Sequence, residues 1–249
     1  MSLIVYADFA CPDCYLAARR ADVLAAAGVE VDWRAVEHRR AVPVAGLPLS
    51  DSEQQELVSR LAGLDTLLLP GESLPHRLPT IRPRTEAAIA AYAAVSATPV
   101  GAEVRRLLFE LYWRFGADIG SPSVLRGPLT GPVLRSGASA EPLRQSGYAV
   151  SFDRGPLTTE AFRRIRDWRR EWADLGSPLS PVVLADGATL AGTDALRRLG
   201  KEIAYAGAPV DAALAEPRRY PPIDDRPPAS WVSWVGGRWR NAYRPAAAG

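Results

Sequence analysis

Lysine is almost missing from this chain: Lys201 is the only one among 30 basic residues, the rest being arginine. With 28 acidic residues beside them the net charge is only +2. In stretches such as RRIRDWRREWAD at 163–174 the arginines alternate with acids, the pattern of a solvated helix face rather than of a phosphate-binding stripe, so no nucleic-acid partner is expected. No run of eighteen or more apolar residues occurs, which excludes a membrane-spanning helix from the expectations. The opening MSLIVYAD has neither a basic leader nor a cleavable apolar region, so no secretory signal and a cytoplasmic location are expected. Histidine is scarce as well, with only His38 and His76, and the two are not at ligand spacing. One Cys-x-x-Cys leaves a zinc site two ligands short, so no metal is expected. The same spacing gives no Cys–His dyad, and both histidines read as surface or turn residues. The only cysteines are Cys11 and Cys14, and in a cytoplasmic protein they do not read as a permanent structural disulfide.

A length of 249 residues with 47% hydrophobic content supports a sizeable core, in one large domain or one domain with an insertion. LIVYA at 3–7 is a short apolar run of the buried-strand type. Asp8 to Cys11 make a turn, and the helix that follows closes near Gly28. VEVDWRAV at 29–36 alternates apolar and polar residues as a second strand, completing a βαβ unit with parallel pairing.

From about 50 to 176 the pattern predicts helices and loops without a strand. Ser50 and Glu53 form a capping box ahead of a helix carrying Leu57, Leu61 and Leu64 on one face. An Ala-rich helix over 84–97 follows, then a stripe of Val104, Leu107, Leu108, Leu111, Tyr112 and Phe115 ending at Gly116. Ser121-Pro122 opens another helix, residues 127–150 read as loop, and a long helix over 157–175 aligns Phe162, Ile165, Trp168, Trp172 and Leu175. These aromatics are read as core. PVVLADGATLAG is strand, Asp186-Gly187 turn, strand, and a helix from Thr193 to Tyr205 closes the block. A Pro-rich connector at 216–229 leads to a hairpin about Gly236-Gly237 that sets Trp234 opposite Trp239.

Cys11 falls where strand one ends and a helix begins. A thiol there faces unpaired backbone N–H groups and the positive end of the helix dipole, which favour its thiolate. Cys14 lies one turn on, placed to attack a mixed disulfide formed at Cys11, and Pro12 suits the first helical position because it has no N–H to leave unpaired. A nucleophilic cysteine backed by a resolving one is the minimum equipment for thiol–disulfide exchange.

The pattern D-F-x-C-P-x-C-Y-x-x-x-R-R, carried by Asp8, Phe9, Cys11, Pro12, Cys14, Tyr15, Arg19 and Arg20, resembles the opening of the DsbA-family thioredoxin-like oxidoreductases, in their FrnE-like branch. Residues 107–125 are similar to that branch's helix and its DI…VL turn, and the resemblance extends over roughly 3–205. It implies an α/β, thioredoxin-like fold (βαβ…ββα) with a large all-helical insertion, here ending in a short Trp-rich hairpin tail. The expected partition is 1–48 and 177–216 for the thioredoxin-like domain, 49–176 for the insertion, and 217–249 for connector and hairpin. It also implies a cis-proline directly before a strand. Pro181, preceded by Ser180, is preferred for that role over Pro178. Ser180 and Pro181, with Pro12 and Asp13, would then shape the site, with Phe9 and Tyr15 as candidate groove residues. The backbone beside the cis-proline would pair with a substrate peptide in strand fashion.

Two departures from the family matter. Asp13 stands between the cysteines where tryptophan is common, and at about 6 Å with an effective dielectric near 20 its carboxylate opposes the Cys11 thiolate by roughly 2–3 kcal/mol. That predicts a reducing or isomerising pair rather than a strong oxidant. Val5 occupies the place of the buried acid found six residues before the first cysteine in thioredoxins, so proton transfer to Cys14 needs another group or water. The leading expectation is thus a cytoplasmic thiol–disulfide oxidoreductase or isomerase acting on a protein or small-molecule disulfide or thiol. It needs no cofactor beyond its dithiol, with a low-molecular-weight thiol as a candidate co-reactant. The alternatives are a small-thiol-dependent transferase, isomerase or nitroreductase on the same fold, and a non-catalytic protein-binding adaptor. A homodimer through the insertion or the C-terminal hairpin is a further expectation.

Overall fold

The computed structural model describes residues 2–38, 41–75, 78–137 and 141–210, and the backbone of 232–235 and 238–241. In chain order the first elements are β1 (Ser2–Ala7), α1 (Pro12–Ala26), β2 (Glu30–Ala35), β3 (Leu47–Pro48) and α2 (Asp51–Asp65). Then come β4 (Ile81–Arg82), α3 (Glu86–Ala93), α4 (Gly101–Trp113), α5 (Pro122–Arg135), α6 (Pro142–Gln145) and α7 (Thr159–Asp174). β5 (Val182–Ala185), β6 (Ala188–Ala191) and α8 (Thr193–Ala206) follow, and β7 (Val232–Val235) and β8 (Arg238–Asn241) form a separate hairpin.

The main sheet has the order β2-β1-β5-β6. β1 runs parallel to β2, with Val5 opposite Trp33, and antiparallel to β5, with Val5 opposite Val183. The β5–β6 turn is Asp186-Gly187, both at positive φ (50° and 77°), which is the conformation a two-residue hairpin requires. This is the βαβ…ββα arrangement of a thioredoxin-like fold. Leu3 and Val5 of β1, Leu16 and Leu24 of α1, and Leu196 and Leu199 of α8 are all completely buried, and they form one core between sheet and helices. At about 1.5–3 kcal/mol per fully buried aliphatic side chain, this layer dominates the stabilisation of the strand-one end of the fold.

Local chemistry sets the start and end of α1. Cys11 is its N-cap in an extended conformation (φ −100°, ψ 127°), Pro12 takes the first turn and Asp13 places a negative charge there. The helix stops at Gly28 (φ 82°), whose N–H bonds Ala25 O at 3.1 Å while that of Val29 bonds Leu24 O at 2.9 Å. This paired closure requires a left-handed residue, which glycine supplies at no steric cost.

The 50–176 stretch departs from the sequence reading in three places. It contains a strand after all: β4 pairs antiparallel with β3 through Leu47–Arg82 and Pro48–Ile81, too short for periodicity to register. Residues 127–150 are not a continuous loop, because α5 continues to Arg135 and α6 follows. Pro128 and Pro132 inside α5 read as breakers, each deleting one helical hydrogen bond. They are tolerated because Leu125, Leu129, Pro132 and Val133 form a buried stripe on a helix packed against α4. Finally, Phe115 and Phe162 lie at the rims of their helices, 38% and 60% exposed, and are not core. Trp168 and Trp172 are buried as expected.

The contacts divide the chain at 215/216 into two compact units. In the second unit β7 and β8 pair antiparallel with Trp234 in register with Trp239. The Pro-rich connector at 216–229 and the Gly236-Gly237 turn lie outside the described residues, as does His76. No helix among the described residues is long and apolar enough to cross a membrane.

Candidate active site

The C-terminal end of β1, the N-terminus of α1 and the loop before β5 meet at the two cysteines. Cys11 Sγ is partly exposed, and its thiol donates to the Ser180 carbonyl at 3.5 Å. Cys14 is completely buried behind it, with Sγ 2.9 Å from the Ser180 hydroxyl. Both thiols are free. The Ser180–Pro181 peptide bond is cis, and the Pro181 carbonyl accepts from Gly192 N at 2.8 Å, which ties the loop to the start of α8. Burial pushes the Cys14 thiol well above its ordinary pKa, and its hydrogen bond to the Cys11 sulfur pushes it the same way. The Ser180 hydroxyl and an Asp8 backbone group oppose that shift. The inner cysteine therefore keeps its proton while the outer one is offered to the groove.

That groove has a volume of about 380 Å³. Cys11, Pro12 and Ser180 form its floor, Leu57 and Arg60 of α2 one wall, and the exposed Leu179 its edge. A second groove, of about 420 Å³ between α3 and α7, contains no thiol. The candidate site is therefore the groove that holds the Cys11 thiol.

Asp13 is where the site differs most from the sequence reading. Its side chain is 2% exposed and does not act as a bare charge. Arg60 holds it in a two-pronged pair, Nε to Oδ2 at 2.7 Å and Nη2 to Oδ1 at 3.0 Å, with Oδ2 4.0 Å from Cys11 Sγ. The expected opposition to the Cys11 thiolate is thereby largely cancelled by a guanidinium 47 positions along the chain. Phe9 and Tyr15 are likewise corrected: they are 1% and 9% exposed and face inward, not into the groove. The Phe9 ring meets Phe109 at 4.9 Å and its carbonyl accepts the Trp113 indole N–H at 3.0 Å, while Tyr15 packs against Phe109 and Trp113. Both aromatics hold the cysteine turn from behind.

Three groups near the thiols escaped the sequence reading. Arg60 carried no signal beyond its place on a capped helix. In the sequence Asp8 stands out only as part of the D-F-x-C-P-x-C motif. Its carboxylate accepts Ala10 N at 2.9 Å and His38 N at 2.8 Å, closing the turn before Cys11 and joining it to the end of β2. His38 also stacks on Trp172 at 5.6 Å. Glu37, next in sequence, lines the groove while almost wholly buried, and its Oε1 has no hydrogen-bond partner among the described residues. Burial, reinforced by Asp8, pushes the Glu37 carboxyl above the usual carboxylate range. Val5, opposite Trp33, carries no acid, and Glu37 and Asp8 are buried carboxyls that line the groove.

The sequence model of the DSBA-like thioredoxin domain matches residues 2–131, which include both cysteines, Asp13 and Arg60 but not the Ser180–Pro181 loop. Among solved structures, a probable DsbA oxidoreductase from Streptomyces coelicolor superposes with a TM-score of 0.58 at 20% identity, covering 83% of this chain and 90% of its own. A 2-hydroxychromene-2-carboxylate isomerase gives a TM-score of 0.56 at 18% identity, covering 87% of this chain and all (100%) of its own. No curated protein matches the sequence.

Proposed function

Because the chain belongs to the DSBA-like thioredoxin domain family, we propose that it is a thiol–disulfide oxidoreductase or isomerase of the cytoplasm, with Cys11 as nucleophile and Cys14 as resolving thiol. The carrying observation is the asymmetry of the pair: Cys11 is open to the groove, and Cys14 is sealed behind it against Ser180. The Cys11 thiolate attacks one sulfur of a substrate disulfide. A Cys11–substrate S–S bond forms, and the second substrate sulfur leaves as a thiolate that takes a proton. Cys14 then loses its proton and attacks Cys11 Sγ, forming the Cys11–Cys14 disulfide and releasing the first substrate sulfur. The substrate gains two electrons and two protons, and a low-molecular-weight thiol returns the protein to the dithiol. The backbone beside Ser180 is the natural place for an extended substrate chain.

The direction is reducing or isomerising. The position between the cysteines carries no net cation to stabilise the thiolate, since the Asp13 charge is balanced by Arg60. A reduction potential near that of thioredoxin, about −270 mV, is expected, rather than one near DsbA's, about −120 mV. A groove of about 380 Å³ also favours a second reading, turnover of a low-molecular-weight thiol at Cys11 alone. One experiment separates the two: insulin reduction by the wild type, Cys11→Ser and Cys14→Ser. Loss of activity in both variants is the expected result. Survival in Cys14→Ser with a required small thiol supports the second reading, and an inert wild type overturns the first.

A further inference from the structure

We propose that Arg60, delivered by α2 from the helical insertion, is a positioning residue that sets the reactivity of Cys11 by holding the Asp13 carboxylate. The proposal rests on the reading of Cys11 as the attacking thiol. It assigns to the insertion a direct part in the dithiol chemistry, beyond forming one wall of the groove.

Asp13 sits inside the Cys-x-x-Cys turn with its side chain 2% exposed, so water cannot screen it. Among the described residues, its only hydrogen-bond partners are Arg60 and the Cys11 thiol. Asp13 Oδ2 lies 2.7 Å from Arg60 Nε and 4.0 Å from Cys11 Sγ, so a single oxygen lies between cation and sulfur. With Arg60 in place, Cys11 faces the end of a neutral pair; without it, Cys11 faces a buried anion. The influence runs both ways, for Asp13, and after it the nearby cysteine sulfurs, push the Arg60 guanidinium above its ordinary pKa against the opposing effect of burial. Other charges also face the groove. Arg82 on β4 is paired with Glu53 at 2.7 Å, and Asp8 is taken by backbone N–H groups. Glu37 and His38 stand at the β2 end, and Glu56 shares α2. The planar guanidinium fork matches both carboxylate oxygens, which a lysine ammonium cannot do. The Arg60 side chain is itself 47% exposed, so it is held at its post chiefly by Asp13.

The test is the rate of Cys11 alkylation by iodoacetamide across pH, in the reduced full chain. The reagent is neutral, so Arg60 does not steer it. Arg60→Ala is expected to slow alkylation at pH 7 about tenfold and to move the half-maximal pH upward by about one unit, the modest end of what an uncompensated charge at this range does. Arg60→Lys should lie within about threefold of wild type, and Asp13→Asn should react faster. The Arg60→Ala/Asp13→Asn double variant should return to within about threefold of wild type. An unchanged profile in Arg60→Ala overturns the proposal, as does a loss that persists in the double variant. Should Arg60→Ala fail to fold, Asp13→Asn carries the comparison, and an alkylation profile there equal to wild type overturns the proposal. Alkylation needs no turnover, so a wild type inert toward disulfides would sink the functional reading without touching this result.

Discussion

At the thiols themselves, one residue does two jobs. Ser180 receives Cys11 at its carbonyl and contacts Cys14 through its side chain. In the proposed resolving step, burial works against a Cys14 thiolate and the Ser180 hydrogen bond works for it. A hydrogen bond to a charged group is worth about 1.5–3 kcal/mol, so Ser180→Ala is expected to slow resolution about 10–100-fold. A substrate adduct on Cys11 should then accumulate and be visible by mass spectrometry; an adduct lifetime equal to wild type would remove Ser180 from the mechanism. Glu37 makes a prediction of opposite character. Because the fold raises its pKa, its contribution to stability is present at low pH, below the pKa of an unfolded glutamate, and is lost as pH rises through the folded value. Glu37→Gln should therefore melt close to wild type at pH 4 and above it at pH 8, as thermal denaturation across pH will show. Cys11, Cys14, Pro12 and Ser180 could all be placed from sequence, since their positions follow from a motif, a turn or a neighbouring proline. Arg60 and Glu37 could not, because what matters about each is a charge met across space.

Among the elements, α1 is the hub, and Arg20 fixes it. Its side chain, 1% exposed, binds Glu72 at 2.8 and 2.7 Å and donates to the carbonyls of Leu67 and Leu196. One guanidinium thus links α1 to the segment after α2 and to α8. Arg20→Met leaves Glu72, 2% exposed, as an uncompensated buried carboxylate, and should cost about 3–5 kcal/mol in urea unfolding. A loss below about 1 kcal/mol would mean that Glu72 finds water or another partner. This contact has a further consequence, because α2 carries Arg60: loosening the Arg20 anchor should loosen the wall facing Cys11. The elements were legible wherever a single period or cap decided them, as at the Ser50–Glu53 box, where Ser50 and Arg82 hold Glu53 at a pKa of about 2. They were not legible at α5, whose prolines announce a break that packing overrides, nor at the two-residue strands β3 and β4.

For the whole chain, everything assigned to the dithiol lies within the first compact unit, Met1–Ala215. A chain ending at Ala215 is expected to keep the melting temperature and the insulin-reducing activity of the full chain. Loss of either would give residues 216–249 a part in the fold or site. Sedimentation of the two lengths reads, in the same preparation, whether the hairpin supports the expected homodimer. The sequence by itself determined the βαβ start, the dithiol at its joint, the Asp186-Gly187 hairpin and the pairing of Trp234 with Trp239. Each of these is set by alternation, capping or turn chemistry within a few residues. Only the tertiary structure decided that Asp13 is compensated, that Phe9 and Tyr15 face the core, and that the insertion supplies a cation to the site. The potential at a sulfur and the burial of a ring are sums over groups from distant segments. Those sums exist only once Arg60, 47 residues from Asp13, has been folded against it.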